Sequence, residues 1–313
     1  MHYRIILKVV TGCCLLALCY GCVSRETPVA KEVRERLARA QAVKGTLATY
    51  SAPPRLGNGR IDIPLLMRQL VDIHANTYSF AIHKGSNDWE DLQLFLPMAR
   101  RHGIRVWGSV VPPTESPPHL KMYAEPFRLD YERWAVEFAK LSRKETNLVV
   151  WSIDDFTHNV KSAYTVPKLR KMLDAARAIN PRLAFVPCCY FREMTQDFVR
   201  NYEPLVDGFL FPYRHESAGA NLKDADLTAP EVRKVKEMTG PGFPVLIDVY
   251  ATAHSSLGST TPEYVREVMT AGREYADGVM VYCHQDPKLY PEKYHIVKEL
   301  FTEWSAQDKR AAN

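Results

Sequence analysis

The chain has 313 residues, 46% of them hydrophobic and 25% charged, an ordinary globular composition that excludes disordered, collagen-like and coiled-coil chains. Forty-one Lys and Arg against 36 Asp and Glu leave a formal charge of +5, spread without basic runs, so no nucleic-acid partner is expected. Aromatic residues, at 11%, exceed what a plain scaffold needs, and sugar-binding clefts are one destination for such a surplus.

Arg4 and Lys8 precede an apolar run over residues 9–20, then Gly21-Cys22 and polar residues follow. This is the pattern of a signal peptide over residues 1–21. The run is short of the roughly 20 residues that span a bilayer. Gly21-Cys22 also reads as a lipobox, in which Cys22 is lipidated and becomes the mature N-terminus and membrane anchor. A plain secretory signal cut nearby, or a short uncleaved anchor, is the other reading. Val23 after the Cys favours outer-membrane sorting in a cell with two membranes. The expectation is an exported cell-envelope lipoprotein, at the outer membrane or on the periplasmic face. Four of the seven Cys fall in the leader, and Cys188, Cys189 and Cys283 lack metal-site spacing. Neither a disulfide framework, a metal nor a cofactor is expected.

Residues 22–45 read as a tether with a short helix over 31–41. From residue 46 onward, short β-branched or aromatic runs alternate with stretches of helical period. In chain order, the pattern predicts strand 46–51 and helix 63–73, strand 76–83 and helix 89–102, strand 104–111 and helix 130–143, and strand 148–153 and helix 166–179. It continues with strand 183–190 and helix 195–202, strand 208–213 and helix 229–238, strand 244–249 and helix 262–275, and strand 278–282 and helix 291–304. His102-Gly103, Asn180-Pro181 and the Gly-Pro-Gly at 240–242 close helices, and Thr261-Pro262 opens one. Eight such units over 46–305 predict a (β/α)8 TIM barrel, at its usual size of about 250 residues, with a polar tail at 306–313. A doubly wound open sheet is the alternative, but Ala52-Pro53-Pro54-Arg55 is no Gly-rich phosphate turn.

A barrel keeps its chemistry at the carboxyl ends of its strands. Those ends carry His83-Lys84, Asp154-Asp155, Tyr190, Tyr213 with His215, Asp248 with Tyr250, and His284-Gln285. The sharpest feature is the apolar strand that runs into Asp154-Asp155-Phe156. Successive strand residues face opposite ways, so both carboxylates reach the cavity only if the chain turns out of the sheet there. Two close carboxylates repel, and one can hold a proton while the other stays charged, the division of labour that glycoside hydrolysis needs. Asp248, across the barrel, is the candidate second nucleophile or base. Trp107, Trp151, Tyr190, Tyr213, Tyr250 and Tyr282 are candidates for a sugar-stacking platform, with Lys84, His83, His215, His284 and Gln285 as polar contacts.

The strand running into Asp154-Asp155, with His74-Ala75-Asn76-Thr77-Tyr78 through His83-Lys84, resembles glycoside hydrolase family 84, whose members remove β-linked N-acetylglucosamine. The likeness covers about residues 74–156. It implies a substrate-assisted retaining mechanism in which Asp154 orients and polarises a 2-acetamido group, Asp155 is general acid and then base, and Lys84 contacts a hydroxyl. The sequence departs from the family at Val249, at His254 and at Ala48-Thr49-Tyr50-Ser51 on strand 1. The reading is a glycoside hydrolase acting on an oligosaccharide or polysaccharide. The alternative is a non-catalytic barrel lipoprotein that binds glycans or a partner with the same rim.

Overall fold

The computed structural model describes residues 27–119, 123–240 and 242–312. The signal peptide and Cys22 lie outside the described residues. Among these, no helix is long and apolar enough to cross a membrane.

The first element, helix α1 (Pro28–Val43), is capped by the Thr27 hydroxyl, which accepts from the Ala30 amide. It runs longer than the expected short helix, and it is docked onto the barrel. Arg39, 4% exposed, reaches Asp207 at 2.7 Å and the Pro181 carbonyl at 2.8 Å, and Arg36 meets Glu203. Val43 enters the barrel's own interior cluster. The segment expected as a tether is therefore docked across the amino end of the barrel.

The eight β-α units follow as expected. They are β1 (Thr46–Tyr50) and α2 (Ile63–Asp72), β2 (Thr77–Ile82) and α3 (Asp88–Arg101), β3 (Arg105–Val110) and α4 (Tyr131–Lys144), and β4 (Leu148–Ile153) and α5 (Val166–Ile179). Then come β5 (Ala184–Phe185) and α6 (Gln196–Tyr202), β6 (Phe209–Pro212) and α7 (Thr228–Thr239), β7 (Val245–Tyr250) and α8 (Pro262–Tyr275), and β8 (Gly278–Tyr282) and α9 (Pro291–Ala312). Helix starts are set by local capping: Asp62 accepts from the Leu65 amide, Asp130 from Arg133 and Thr261 from Tyr264. The stretch expected as a polar tail continues α9, where Asp308 pairs with Arg273.

All strands are parallel, in the order β5-β4-β3-β2-β1-β8-β7-β6. The expected strand 183–190 forms a regular ladder only at its first residues because Pro187 has no amide to donate. The chain nonetheless stays beside its neighbours. Val186 and Cys188 donate to the Trp151 and Ile153 carbonyls, while Leu210 donates to Pro187 and Cys189 to Leu210. The bridge between Cys188 and Leu210 closes the (β/α)8 barrel.

Strand alternation sorts side chains into two cores. Ala48, Ala81, Trp107, Val150, Ala184, Val186, Leu210, Leu246 and Met280 fill the barrel, and their alternates pack under the helices. Gly108 shows how tight the outer layer is, since a Cβ there would lie 2.3 Å from the Phe138 ring of α4. The same alternation decides which rim residues face the cavity.

Candidate active site

On β4, Val150 faces the barrel interior, and two steps on Ser152, then Asp154, continue on that side. Asp154 still keeps strand register, its amide donating to the Val110 carbonyl at 3.0 Å. Asp155 then adopts φ +41°, a left-handed conformation that Asp tolerates better than most residues. That turn brings the second carboxylate to the same cavity. Phe156 fixes it from behind, fully buried and stacked on Tyr164 with ring centroids 4.8 Å apart. The sequence Asp-Asp-Phe is thus two rim groups and their anchor.

The two carboxyls sit in unlike surroundings. The Asp154 side chain accepts from the Tyr50 hydroxyl at 2.5 Å and from the Asp155 amide at 3.0 Å. Burial, and next the charge of Asp155, push it up to about 6 against the help of Tyr50. Burial alone would raise Asp155 too, but His158, 3.9 Å away, the Tyr190 hydroxyl and the charge of Arg214 hold it below the ordinary carboxylate range. His158 is raised in return by its interaction with Asp155. Tyr190 is itself held between His158, stacked at 4.7 Å, and the Arg214 guanidinium, 4.0 Å from its ring centroid. Glu216 pairs with Arg214 behind it.

Two further acids face this pair. Asp248, 3% exposed, lines the same cavity from β7 with Oδ1 unpartnered. Burial, and then the charge of Asp154, raise it well above a normal carboxylate and favour its protonated form. Glu115, in a short turn after β3 (Pro113–Glu115), is pushed up to about 9 by burial and by the charges of Asp154 and Asp155.

Two cavities meet here. The smaller, about 280 Å³, is bordered by Ser51, His83, Lys84, Ser109 and Cys283. The larger, about 520 Å³, is bordered by Asp155, Cys188, Tyr190, Asp248, Tyr250 and His254. Tyr50, Glu115, Asp154 and Tyr282 line both.

The structure brings together Asp154, Asp155, Asp248, Tyr190, Tyr250, His83 and Lys84 from the expected set. Burial drops the His83 imidazole to about 4, so it is neutral there. The other six expected residues line neither cavity. Trp107 fills the barrel interior. Trp151 alternates outward from Val150 and packs on Phe185 and Phe138. Tyr213 likewise points outward, its hydroxyl on the Asp224 carbonyl at 2.9 Å. His215 bonds Asp226 and Asn221. His284 is buried between Thr49 Oγ1 at 3.0 Å and Gln69 Oε1 at 2.7 Å. Gln285 is buried with its Nε2 unpartnered. Tyr282, a stacking candidate from the sequence, lines both cavities, whereas sequence reasoning missed Glu115, Tyr50, His158 and Arg214. Tyr50 carried a signal, being the last residue of β1.

Oxygens of Asp154 and Asp155 and the Cys188 sulfur lie within 4.8 Å of one another, close enough to ligate one ion. Burial, followed by the nearby carboxylates, raises the Cys188 thiol well above its ordinary value, and a metal binds the thiolate. The trio is a poor metal site in this protonation state.

No protein-family model matches the sequence, and comparison with curated proteins returns no match. Solved structures do resemble the fold. A putative α-L-fucosidase from Bacteroides thetaiotaomicron aligns at a TM-score of 0.56 and 10% identity, covering 84% of this chain and 94% of its own. A GH113 β-1,4-mannanase aligns at 0.55 and 12%, covering 82% and 98%. A calcium-binding mutant of β-glucuronidase 2 from Bacteroides uniformis aligns at 0.52 and 10%, over 77% of this chain. The chain spans only 30% of that glucuronidase. At these identities the likeness establishes the barrel.

Proposed function

We propose that the chain is an exported, lipid-anchored glycoside hydrolase acting on an oligosaccharide or polysaccharide. One observation carries the reading: acids of opposite protonation tendency converge where two cavities join. Ionised Asp155 stands beside Asp154, which titrates near 6, with Glu115 held protonated to about 9 and Asp248 raised by burial around them. A glycosidic bond needs a proton for its departing oxygen and a negative group facing the positive charge that builds at the anomeric carbon. Asp155 is the group suited to the second task, because His158 and Tyr190 keep it charged.

This reverses the roles implied by the family resemblance, in which Asp155 carries the proton. Asp154 carries a proton in the free enzyme below about pH 6 and loses it above. Burial favours the protonated form of Asp248, in which it donates a hydrogen bond to a sugar hydroxyl and is a poor nucleophile. The tyrosines contribute as well: Tyr50, Tyr282 and Tyr250 form a run of rings with centroids 5.4 and 5.3 Å apart along the cavity wall, an apolar surface with polar tips for a sugar ring. The activities named for the barrel neighbours, a putative fucosidase, a mannanase and a glucuronidase, favour the same class of substrate.

The test is to incubate the soluble form lacking residues 1–22 with aryl glycosides and polysaccharides and to identify the released product. Hydrolysis of at least one glycoside, lost in Asp155→Asn, is the expected result. Activity on N-acetylhexosaminides blocked by a thiazoline mimic supports substrate assistance, and activity confined to sugars with a 2-hydroxyl sinks that mechanism. Binding of oligosaccharides without cleavage across the panel replaces the enzyme with a glycan-binding barrel.

A further inference from the structure

Glu115 belongs to neither the Asp pair nor a strand, yet it forms part of the wall common to both cavities. Its carboxyl has no hydrogen-bond or ion-pair partner among the described residues. The loop that carries it is held from several sides. Pro112 and Pro113 stiffen the approach, and the Pro112 carbonyl accepts from the Glu115 amide at 3.2 Å and from the fully buried Ser116 hydroxyl at 3.1 Å. Asn159, 2% exposed, then ties the loop to the catalytic turn. Its Nδ2 donates to Thr114 Oγ1 and to the Asp155 carbonyl, each at 3.0 Å. One buried amide therefore fixes the spacing between the Glu115 turn and the Asp155 backbone. Such bracing holds an unpartnered carboxyl in one place, which is what a positioned reacting group requires.

We propose that Glu115 is a third catalytic carboxyl, the one that protonates the glycosidic oxygen as it departs. The assignment rests on the glycosidase reading and sharpens it. With one sugar residue in the smaller cavity and the remainder in the larger, the scissile bond crosses the wall that Glu115 shares with Asp154. As the bond from the anomeric carbon to that oxygen breaks, the electron pair stays on the oxygen and the Glu115 proton joins it, so the leaving group departs as an alcohol. Asp155 faces the positive charge left on the sugar. A water then delivers its hydroxyl to the anomeric carbon and returns a proton to Glu115, which restores the starting state.

The charges around Glu115 suit the role at neutral pH. Asp154 and Asp155 face it from the end of β4, Tyr131 from α4, Tyr50 and Tyr282 from β1 and β8, and His83 and Lys84 from across the smaller cavity. Burial and the two Asp charges keep its proton in place after Asp154 has lost its own.

The experiment compares wild type, Glu115→Gln and Glu115→Asp on aryl glycosides graded by leaving-group acidity, with a pH profile of kcat/KM for each. Glu115→Gln should lose about 10²–10⁴-fold on phenyl or sugar leaving groups, less than about 10-fold on dinitrophenyl, and the alkaline limb of the profile. Glu115→Asp keeps a carboxyl and should keep that limb at reduced rate. Equal losses on all leaving groups, or an unchanged profile, overturn the assignment while the glycosidase reading stands. A wild-type protein that cleaves no glycoside overturns both.

Discussion

Both ends of the barrel bury carboxylates, and they treat them in opposite ways. At the amino end, Asp207 is 2% exposed and saturated. It accepts from Arg39 at 2.7 Å, from Arg177 at 3.3 Å and from the Phe185 amide at 2.9 Å. At the carboxyl end, Asp154, Asp248 and Glu115 pair with no Lys, Arg or His among the described residues, and Asp248 leaves an oxygen bare. Burying a carboxyl without a cation costs free energy, and the group responds by holding its proton. Pairing at one end fastens α1 to the barrel. Withholding it at the other keeps acids ready to exchange protons.

The largest effect that sharpens this contrast is on activity. Asp155→Asn and Asp154→Asn should each lower turnover of a cleavable glycoside by about 10²–10⁴-fold. Asp154→Asn should leave the melting temperature unchanged or raised, because the substitution removes a buried acid that has no cation. A clear drop in melting temperature for Asp154→Asn would mean that the carboxyl end is built for stability as well.

At the amino end the outcome should invert. Arg39→Ala leaves Asp207 buried with only Arg177 as a cation, a change worth about 3 kcal/mol of stability, the low end of the range for breaking a buried pair. Turnover per folded molecule should stay near wild type, since the substitution is at the far end of the barrel. Urea unfolding followed by kinetics on the folded fraction measures both. Equal loss of turnover would couple the two ends.

Stability should also depend on pH through the carboxyl end. Asp154 rises from 3.8 to about 6 and Glu115 from 4.5 to about 9 on folding. Between the unfolded and folded values the native state binds more protons than the unfolded one, so stability is greatest at the acid side and falls as pH rises through the folded values. For Asp154 alone the change is on the order of 3 kcal/mol across roughly pH 4 to 6. Asp155 acts oppositely, but its contribution is lost only as pH falls below the ordinary carboxylate range. Thermal melts should decline from pH 5 to 9 in wild type. The decline should flatten near pH 6 in Asp154→Asn and above it in Glu115→Gln. A flat wild-type profile would remove the electrostatic contrast between the ends.

The same contrast explains what could be read in advance. The helical and two-residue periods were enough for the barrel, since both are written locally in each unit. The docking of α1 was not legible, because Arg39 and Asp207 are 168 positions apart and neither stands out in its own segment. Asp154 and Asp155 announced themselves by following a buried strand. Counting alternation from Val150 would have turned Trp151 away from the cavity, and counting from Leu210 would have done so for Tyr213. Glu115 lies in a Pro-rich connection without period, and its burial arises only when that loop folds over the rim.

The smallest effect tests how finely Asp154 is set. Among the described residues the Tyr50 hydroxyl is the one side-chain hydroxyl on its carboxylate, and it lowers a value that burial and Asp155 raise. Tyr50→Phe keeps the ring against Tyr282 and removes only that donor. A hydrogen bond to a charged group contributes about 1.5 kcal/mol, which converts to a rise of about one pH unit in the limb belonging to Asp154. The rate on either side of that limb should change little, because Asp155 and Glu115 are untouched. Tyr190→Phe should move the neighbouring Asp155 upward in the same direction, since Asp155 loses a donor as well, but His158 remains to hold it charged. A Tyr50→Phe profile superimposable on wild type would assign the observed limb to another group in the cavity, with Glu115 and His158 next in line.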